Sequence, residues 1–116
     1  MDDRLKQALD FANYRQTFAI QRKSLKETAD ASLTYGYGGG IFKIDRSLLN
    51  FVQMLIDQDR LINVPLIDLN DNPILIDNLE KFKDEIFDRY FSATYKYLEA
   101  YNQLKKSRSV EKLVDL

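Results

Sequence analysis

Three amino acids are missing from the 116-residue chain: cysteine, histidine and tryptophan. Without cysteine, the protein can form neither a disulfide bond nor a thiolate metal site. Without histidine, it lacks the side chain that most often serves as a general base or a metal ligand near neutral pH. We therefore expect no bound metal, no cofactor and no enzymatic activity.

Long apolar runs and a strong charge of one sign are missing too. No segment approaches the roughly 18 consecutive apolar residues of a membrane-spanning helix, so we expect no membrane partner. The chain has 17 basic and 18 acidic residues, a net charge of −1, which gives no overall attraction to nucleic acid. The segment that begins Met1-Asp2-Asp3-Arg4 is charged and amphipathic, unlike a signal peptide. We expect a soluble, cytoplasmic protein.

Both ends of the chain have the spacing of long helices. Apolar residues recur three and four apart in the first segment, which predicts a helix over about residues 3–31. A second long helix is predicted over about 77–106, with Asp77 as its amino-terminal cap and no glycine or proline inside it. If the two helices are antiparallel, facing residue numbers add to about 110, which places Arg22 opposite Asp88 and Lys26 opposite Asp84.

The middle of the chain predicts small β-structures around a short helix. All four glycines lie within residues 33–44 among aromatic and β-branched residues, which is typical of a β-hairpin. Asp45 can cap a helix over 46–57 whose apolar residues lie nearly all round, so we expect that helix to be buried. Residues 64–69 and 74–76 predict a second hairpin, with Pro65 at an edge.

The predicted fold class is therefore α+β, in the order α-ββ-α-ββ-α. Two long antiparallel helices, about 3–31 and 77–106, enclose two β-hairpins and a buried short helix in a single domain, residues 1–116.

The last predicted helix carries more apolar surface than one neighbour can cover. One stripe consists of Ile86, Tyr90, Ala93, Tyr97, Ala100 and Leu104, and the adjacent stripe of Phe87, Phe91, Thr94, Leu98 and Tyr101. Together they span about half of the helix circumference, which is wider than the contact with a single partner needs. Unless a sheet covers the second stripe, we expect Phe87, Phe91, Leu98 and Tyr101 to form the interface of a homodimer.

Nucleic-acid binding is an alternative. Arg15, Arg22, Lys23 and Lys26 lie along the first predicted helix, and Tyr35, Tyr37 and Phe42 on the first hairpin are candidates for stacking on bases. Acidic residues are interspersed among the basic ones, so pairing within the chain is the more economical interpretation.

Two apparent ligand motifs fail at essential positions. A dinucleotide fingerprint that begins at Gly36 and Gly38 requires glycine at position 41, where the chain has isoleucine. A calcium loop that begins at Asp68 requires glycine sixth and glutamate twelfth, where Pro73 and Leu79 stand. Neither a phosphate site nor a calcium site is expected.

Two resemblances add to these expectations. The order of long terminal helices, two hairpins and a short middle helix resembles the prefoldin alpha subunit, which implies oligomerisation through strands and a client-holding role. The segments Ile67-Asp68-Leu69-Asn70-Asp71-Asn72-Pro73-Ile74 and Ser109-Val110-Glu111-Lys112-Leu113-Val114-Asp115-Leu116 are similar to small uncharacterised proteins of T4-like marine phages, which implies a viral origin.

The function that these observations favour is non-enzymatic protein interaction or assembly, with an unknown protein partner in addition to the second copy. Nucleic-acid binding is the alternative, and a prefoldin-like chaperone is the second alternative.

Overall fold

The fold is α+β with the predicted order of elements. A computed structural model describes residues 2–114, and the side chains of residues 2–108. The helices are α1 (Asp3–Ala31), α2 (Arg46–Asp57) and α3 (Leu79–Val114), and the strands are β1 (Thr34–Tyr37), β2 (Gly40–Lys43), β3 (Ile62–Ile67) and β4 (Pro73–Asn78). The strands form two separate antiparallel hairpins, β1 with β2 and β3 with β4.

The chain divides into two compact units, which are described separately below. The β unit, residues 30–95, contains both hairpins, α2 and the first half of α3. The helical unit contains the rest of α1, up to residue 29, and the part of α3 from residue 96 onward.

The bounds of α1 and α2 match the predictions, but those of α3 do not. Asp77 is still part of β4, because Ile62 pairs with Asn78 across the second hairpin. Asn78 is therefore the cap, and its side-chain oxygen accepts a hydrogen bond of 3.1 Å from the Lys81 N–H. The predicted end near residue 106 is also wrong: α3 continues to Val114, since no glycine or proline stops it.

The prediction that α2 is buried holds for one of its faces only. The Asp45 carboxylate caps the helix by accepting the Leu48 N–H at 2.8 Å. Leu49 and Val52 are buried, whereas Phe51 and Met54 remain nearly half exposed. The β unit covers one side of α2, so its apolar residues all round do not imply complete burial.

The first hairpin has a two-residue turn. Gly38 and Gly39 have φ angles of 57° and 83°, in the left-handed region that glycine enters without steric cost. Two successive positive φ angles produce the tight turn whose twist suits paired strands. Tyr37 is consequently paired with Gly40, and the register continues to Thr34 with Lys43.

A buried carboxylate joins the two hairpins. Asp68, only 6% exposed, follows β3, and its Oδ2 accepts the Ile41 N–H of β2 at 2.9 Å. Its Oδ1 accepts the N–H groups of Asn70 at 2.9 Å and Asn72 at 2.8 Å, which closes its own loop. The Leu69 N–H returns a bond of 2.8 Å to the Ile41 carbonyl. The bond from the Ile41 N–H and the other backbone bonds hold the pKa of Asp68 below its ordinary value of 3.8, against the opposing effect of burial.

The hydrophobic core lies in the β unit. Its members share nearly complete burial and come from both hairpins, α2 and the start of α3: Leu33, Phe42, Ile44, Leu49, Val52, Val64, Leu66, Ile74, Ile76, Leu79, Phe82, Ile86 and Ala93. The Phe82 ring contacts the rings of Tyr35, Tyr37 and Phe42 at centroid distances of 5.9, 5.4 and 5.3 Å. The first turns of α3 are therefore the element on which the hairpins pack.

In the helical unit, the two helices are antiparallel as predicted, but their register differs. The Arg108 guanidinium lies 4.4 Å from the centre of the Tyr14 ring and donates a bond of 3.0 Å to the Tyr14 carbonyl. Phe18 contacts Tyr101 edge to face, with ring centroids 6.1 Å apart. These pairs place α3 about three helical turns away from the predicted register, because its first turns pack in the core instead.

Among the residues that the structure describes, no helix has both the length and the apolar composition of a membrane-spanning segment.

Gly40 should be intolerant of any side chain. A Cβ there would lie 2.5 Å from Cγ1 of Ile74 and 3.1 Å from Oδ2 of Asp68, both of which are buried. We expect Gly40→Ala to lower the free energy of unfolding by about 1–3 kcal/mol, as overpacking usually does. In the control Gly36→Ala, the nearest atom would be 3.9 Å away, so the change should stay within about 0.5 kcal/mol. Urea unfolding measures both, and equal effects would contradict the close packing of the hairpins.

Asp68 should make stability depend on pH. The folded protein holds this proton less tightly than the unfolded chain, so the contribution is complete above the ordinary pKa and is lost as the pH falls through the lowered pKa. In Asp68→Asn, one carboxylate oxygen becomes an N–H₂ group, which cannot serve all three donors. We expect a lower melting temperature at pH 7 and a weaker dependence below about pH 4.

The matched control for Asp68 is Asp71→Asn. It removes a charge from the same loop at an exposed residue with a φ of 63°, a conformation that asparagine adopts readily. If both variants melt at the same temperature, the hydrogen bonds of Asp68 do not hold the hairpins together.

Candidate interaction surface

The predicted interface residues lie on α3 beside its buried face. Phe87, Phe91, Leu98 and Tyr101 follow one another at intervals of four, seven and three positions. At about 100° per residue, these intervals place all four on one side of the helix. We call this side the outer face of α3. The helix packs in the core through Leu79, Phe82 and Ile86 on another side. The helix therefore has two apolar sides, as its sequence predicts.

In the β unit, the outer face is partly covered. Phe91 is 51% exposed, although it is a large apolar side chain. Phe87 is half-buried, its ring centroid lies 6.2 Å from that of Phe91, and the Lys83 amine is 5.7 Å from its centre. These two rings form a small apolar patch that the hairpins leave open.

In the helical unit, the two predicted residues differ in exposure. Leu98 is 50% exposed. Tyr101 is half-buried because it contacts Phe18 of α1 and stacks on Tyr97 at a centroid distance of 6.3 Å. Tyr101 thus has a partner inside the chain, whereas half of the Leu98 surface remains exposed to solvent. Since the structure contains one chain, the homodimer interface stays a prediction.

A second apolar face, on α1, was missed by the sequence reasoning. Its residues Leu5, Leu9 and Ile20 are exposed, and they lie on the opposite side of the helix from Tyr14, Phe18 and Leu25. Among its 29 residues, α1 has none that is buried. The sequence contains the signal, since the apolar residues of α1 are too many for one narrow stripe.

The nucleic-acid alternative loses its aromatic component. Phe42 is 2% exposed and lies in the core, so the prediction that it stacks on bases is wrong. Tyr35 and Tyr37 are half-buried against Phe82. Burial raises the pKa of Tyr35, and the negative charge of Glu85 raises it further, whereas the positive charge of Arg89 lowers it. The rings of Tyr35, Tyr37 and Phe42 therefore contribute to packing within the β unit.

The basic residues of the nucleic-acid alternative are accessible from solvent. Arg15, Arg22, Lys23 and Lys26 are all exposed on α1. The guanidinium carbons of Arg15 and Arg22 lie 5.9 Å and 5.8 Å from the centres of the Phe11 and Phe18 rings. Their role in binding stays a prediction.

The acidic residues do not form a ligand site. Both carboxylate oxygens of Asp68 accept backbone N–H groups of the loop and of β2, so the segment that resembles a calcium loop is a structural turn. Glu85 forms an ion pair of 2.7 Å with Arg89 on the same helix. Within the described part of the chain, no three acidic side chains converge so as to hold a metal ion.

Comparisons of the chain with models of known protein families, with curated proteins and with solved structures find no match. The resemblances to the prefoldin alpha subunit and to phage proteins therefore stay predictions. What the exposed faces do must be inferred from the residues themselves.

The two sides of α3 should respond differently to truncation. Phe82 is buried among three other rings, so Phe82→Ala should cost about 3–5 kcal/mol of unfolding free energy through lost burial and a cavity. Tyr95→Ala removes an aromatic ring that is 69% exposed on the same helix, and should cost less than about 0.5 kcal/mol. Chemical denaturation at one protein concentration compares them; a small loss for Phe82→Ala would show that the ring cluster is not the centre of the core.

Proposed function

We propose that the protein is a non-enzymatic assembly protein that associates with a second copy of itself through the outer face of α3. The observation that carries this proposal is the half exposure of Phe91 and Leu98, two large apolar side chains on that face. Large apolar residues that stay in water along one side of an element typically mark an interaction site.

The helical unit gives independent support. Because α1 has no buried residue, its contact with α3 leaves every α1 side chain at least partly in water. Helices in proteins gain most of their stability by packing an apolar face. Leu98, on the outer face of α3, would complete that packing against the second copy. Burial of one such side chain contributes roughly 1.5–3 kcal/mol.

The charges beside the outer face suit a self-contact. Lys83 lies against Phe87, and the exposed acidic residues Asp84 and Asp88 neighbour it on the helix. In a two-fold interface the same surface meets itself, so a surface of one sign would repel its copy. Both signs are present here, which permits pairing across the axis.

The test is to place a charge on the outer face. Phe91→Asp replaces an apolar contact by a carboxylate that would have to be desolvated, so we expect self-association to weaken by at least about 30-fold. Gln103→Glu adds the same charge at an exposed residue on the opposite side of the helix. Sedimentation equilibrium should show a lower mass for Phe91→Asp at a given concentration and no change for Gln103→Glu. A monomeric wild-type protein at high concentration would refute the proposal.

Sedimentation equilibrium can also distinguish nucleic-acid binding from self-association. Reversal of the charges of Arg22 and Lys26 would abolish an affinity that falls steeply with salt, while the mass of the assembly would not change. The prefoldin-like alternative shares the expectation of an oligomer and differs in requiring an unfolded client.

A further inference from the structure

The hydrogen-bond pattern of the first hairpin defines which backbone groups point outward. In an antiparallel pair, residues that exchange hydrogen bonds alternate with residues whose N–H and C=O point away from the partner strand. Ile41 of β2 points outward, since its N–H and C=O bond to Asp68 and Leu69 of the other hairpin. Gly36 is paired with Ile41, so its backbone groups point outward from β1. By the same alternation, the backbone groups of Thr34, which is paired with Lys43, also point outward.

Three of the four strands have a protected outer edge. The Asp68–Leu69 segment covers β2 through its bonds to Ile41. Because the Asp68 N–H bonds to the Asn72 carbonyl, alternation makes Pro65 and Pro73 outward-pointing residues of β3 and β4. Proline there costs no ladder bond and blocks the approach of another strand.

The outer edge of β1 carries no such protection. Its sequence Thr34-Tyr35-Gly36-Tyr37 contains neither a charge nor a proline, and Thr34 and Gly36 are exposed. Among the residues that the structure describes, the outward backbone groups of Thr34 and Gly36 bond to none. An edge of this kind is a template for another strand.

We propose that this edge pairs with β1 of a second copy, antiparallel and about a two-fold axis at Tyr35, to give a four-stranded sheet. In this register Thr34 lies opposite the partner's Gly36, and each such pair exchanges both backbone hydrogen bonds. The pairing satisfies the outward groups of both residues. The chain leaves open space at Gly36, where even an added Cβ would have only the Gly40 carbonyl within 4 Å.

Charge complementarity favours a second copy over an unrelated peptide. The Arg89 guanidinium lies 4.4 Å from the centre of the Tyr35 ring and 2.7 Å from the Glu85 carboxylate. Both side chains are almost half exposed, at 44% and 45%. A two-fold axis at Tyr35 brings this pair beside its own copy, so that each guanidinium can meet the partner's carboxylate.

This contact is separate from the outer face of α3. Arg89 follows Phe87 by two residues, which places the two side chains about 200° apart around the helix. A chain with two different self-contacts assembles beyond a dimer, either into a closed tetramer or into a filament. The strand contact therefore goes beyond the proposed function, and either contact can fail without the other.

The experiment isolates the strand contact in the Phe91→Asp background. In Phe91→Asp, we expect sedimentation equilibrium to show twice the chain mass. When Gly36→Pro is added, we expect the mass of a single chain, because proline at position 36 removes an outward-pointing N–H without removing a hydrogen bond between β1 and β2. Gly36→Ala, which keeps that N–H, is the matched control and should retain twice the chain mass. A single chain mass for Phe91→Asp with an intact β1 overturns the strand contact and leaves the α3 contact standing.

Two further measurements guard against a misfolded proline variant. Arg89→Glu should weaken the association at least tenfold, and the double swap Glu85→Arg with Arg89→Glu should restore it. Amide exchange at Thr34 should slow as protein concentration rises, whereas exchange at Leu75, an outward-pointing residue of β4, should not change. Failure of the swap to restore association, or exchange at Thr34 that is independent of concentration, refutes the pairing with a second copy. Slowing that occurs only with an added extended peptide refutes it as well.

Discussion

The Asp68 carboxylate is the interaction on which the β unit depends. A two-stranded hairpin is marginally stable in water by itself, and this chain has two of them in separate sheets. The bond from the Ile41 N–H to Asp68, with its companion from Leu69 to Ile41, holds the loop of one hairpin on the strand of the other. Gly40 permits the approach because any side chain there would overlap Ile74. Joined in this way, the hairpins contribute Phe42, Leu66 and Ile76 to the same core as the start of α3.

The fold distributes apolar burial unequally between the two units. In the β unit, strands and helices exclude water from thirteen apolar residues. In the helical unit, no residue of α1 is fully buried, and its aromatic residues contact α3 through half-buried rings such as Phe18. One helix, α3, belongs to both environments, and it carries apolar residues on more than one side. The same side chain types stabilise the fold in one unit and remain available for contact in the other.

What the sequence could predict follows from the range of the forces involved. Local rules sufficed where the signal is local: Asp45 caps α2, and two left-handed glycines turn the first hairpin. They failed where a distant contact decides. Asp77 and Asn78 are equally suited to cap α3, and the pairing of Asn78 with Ile62 selects between them. Asp68 belonged to a plausible turn, but nothing nearby reveals that its second oxygen serves Ile41, 27 residues away. In the candidate interface, the spacing places Phe91 and Leu98 in one apolar stripe, and both are half exposed. The contact of Tyr101 with Phe18 could not be predicted without the register of the two helices.

The weak packing of the helical unit would couple its stability to the proposed assembly. A ligand that binds only the folded state stabilises it in proportion to the logarithm of its concentration, and a second copy of the chain acts in the same way. Helices without a buried residue gain little from their own chain, so each exposed Leu5, Leu9 or Leu98 that a neighbour covers adds to the stability of the helix that carries it. The β unit has its own core and does not need this contribution. The proposed association would therefore act mainly on α1 and the second half of α3, whose folding and assembly would then form one equilibrium.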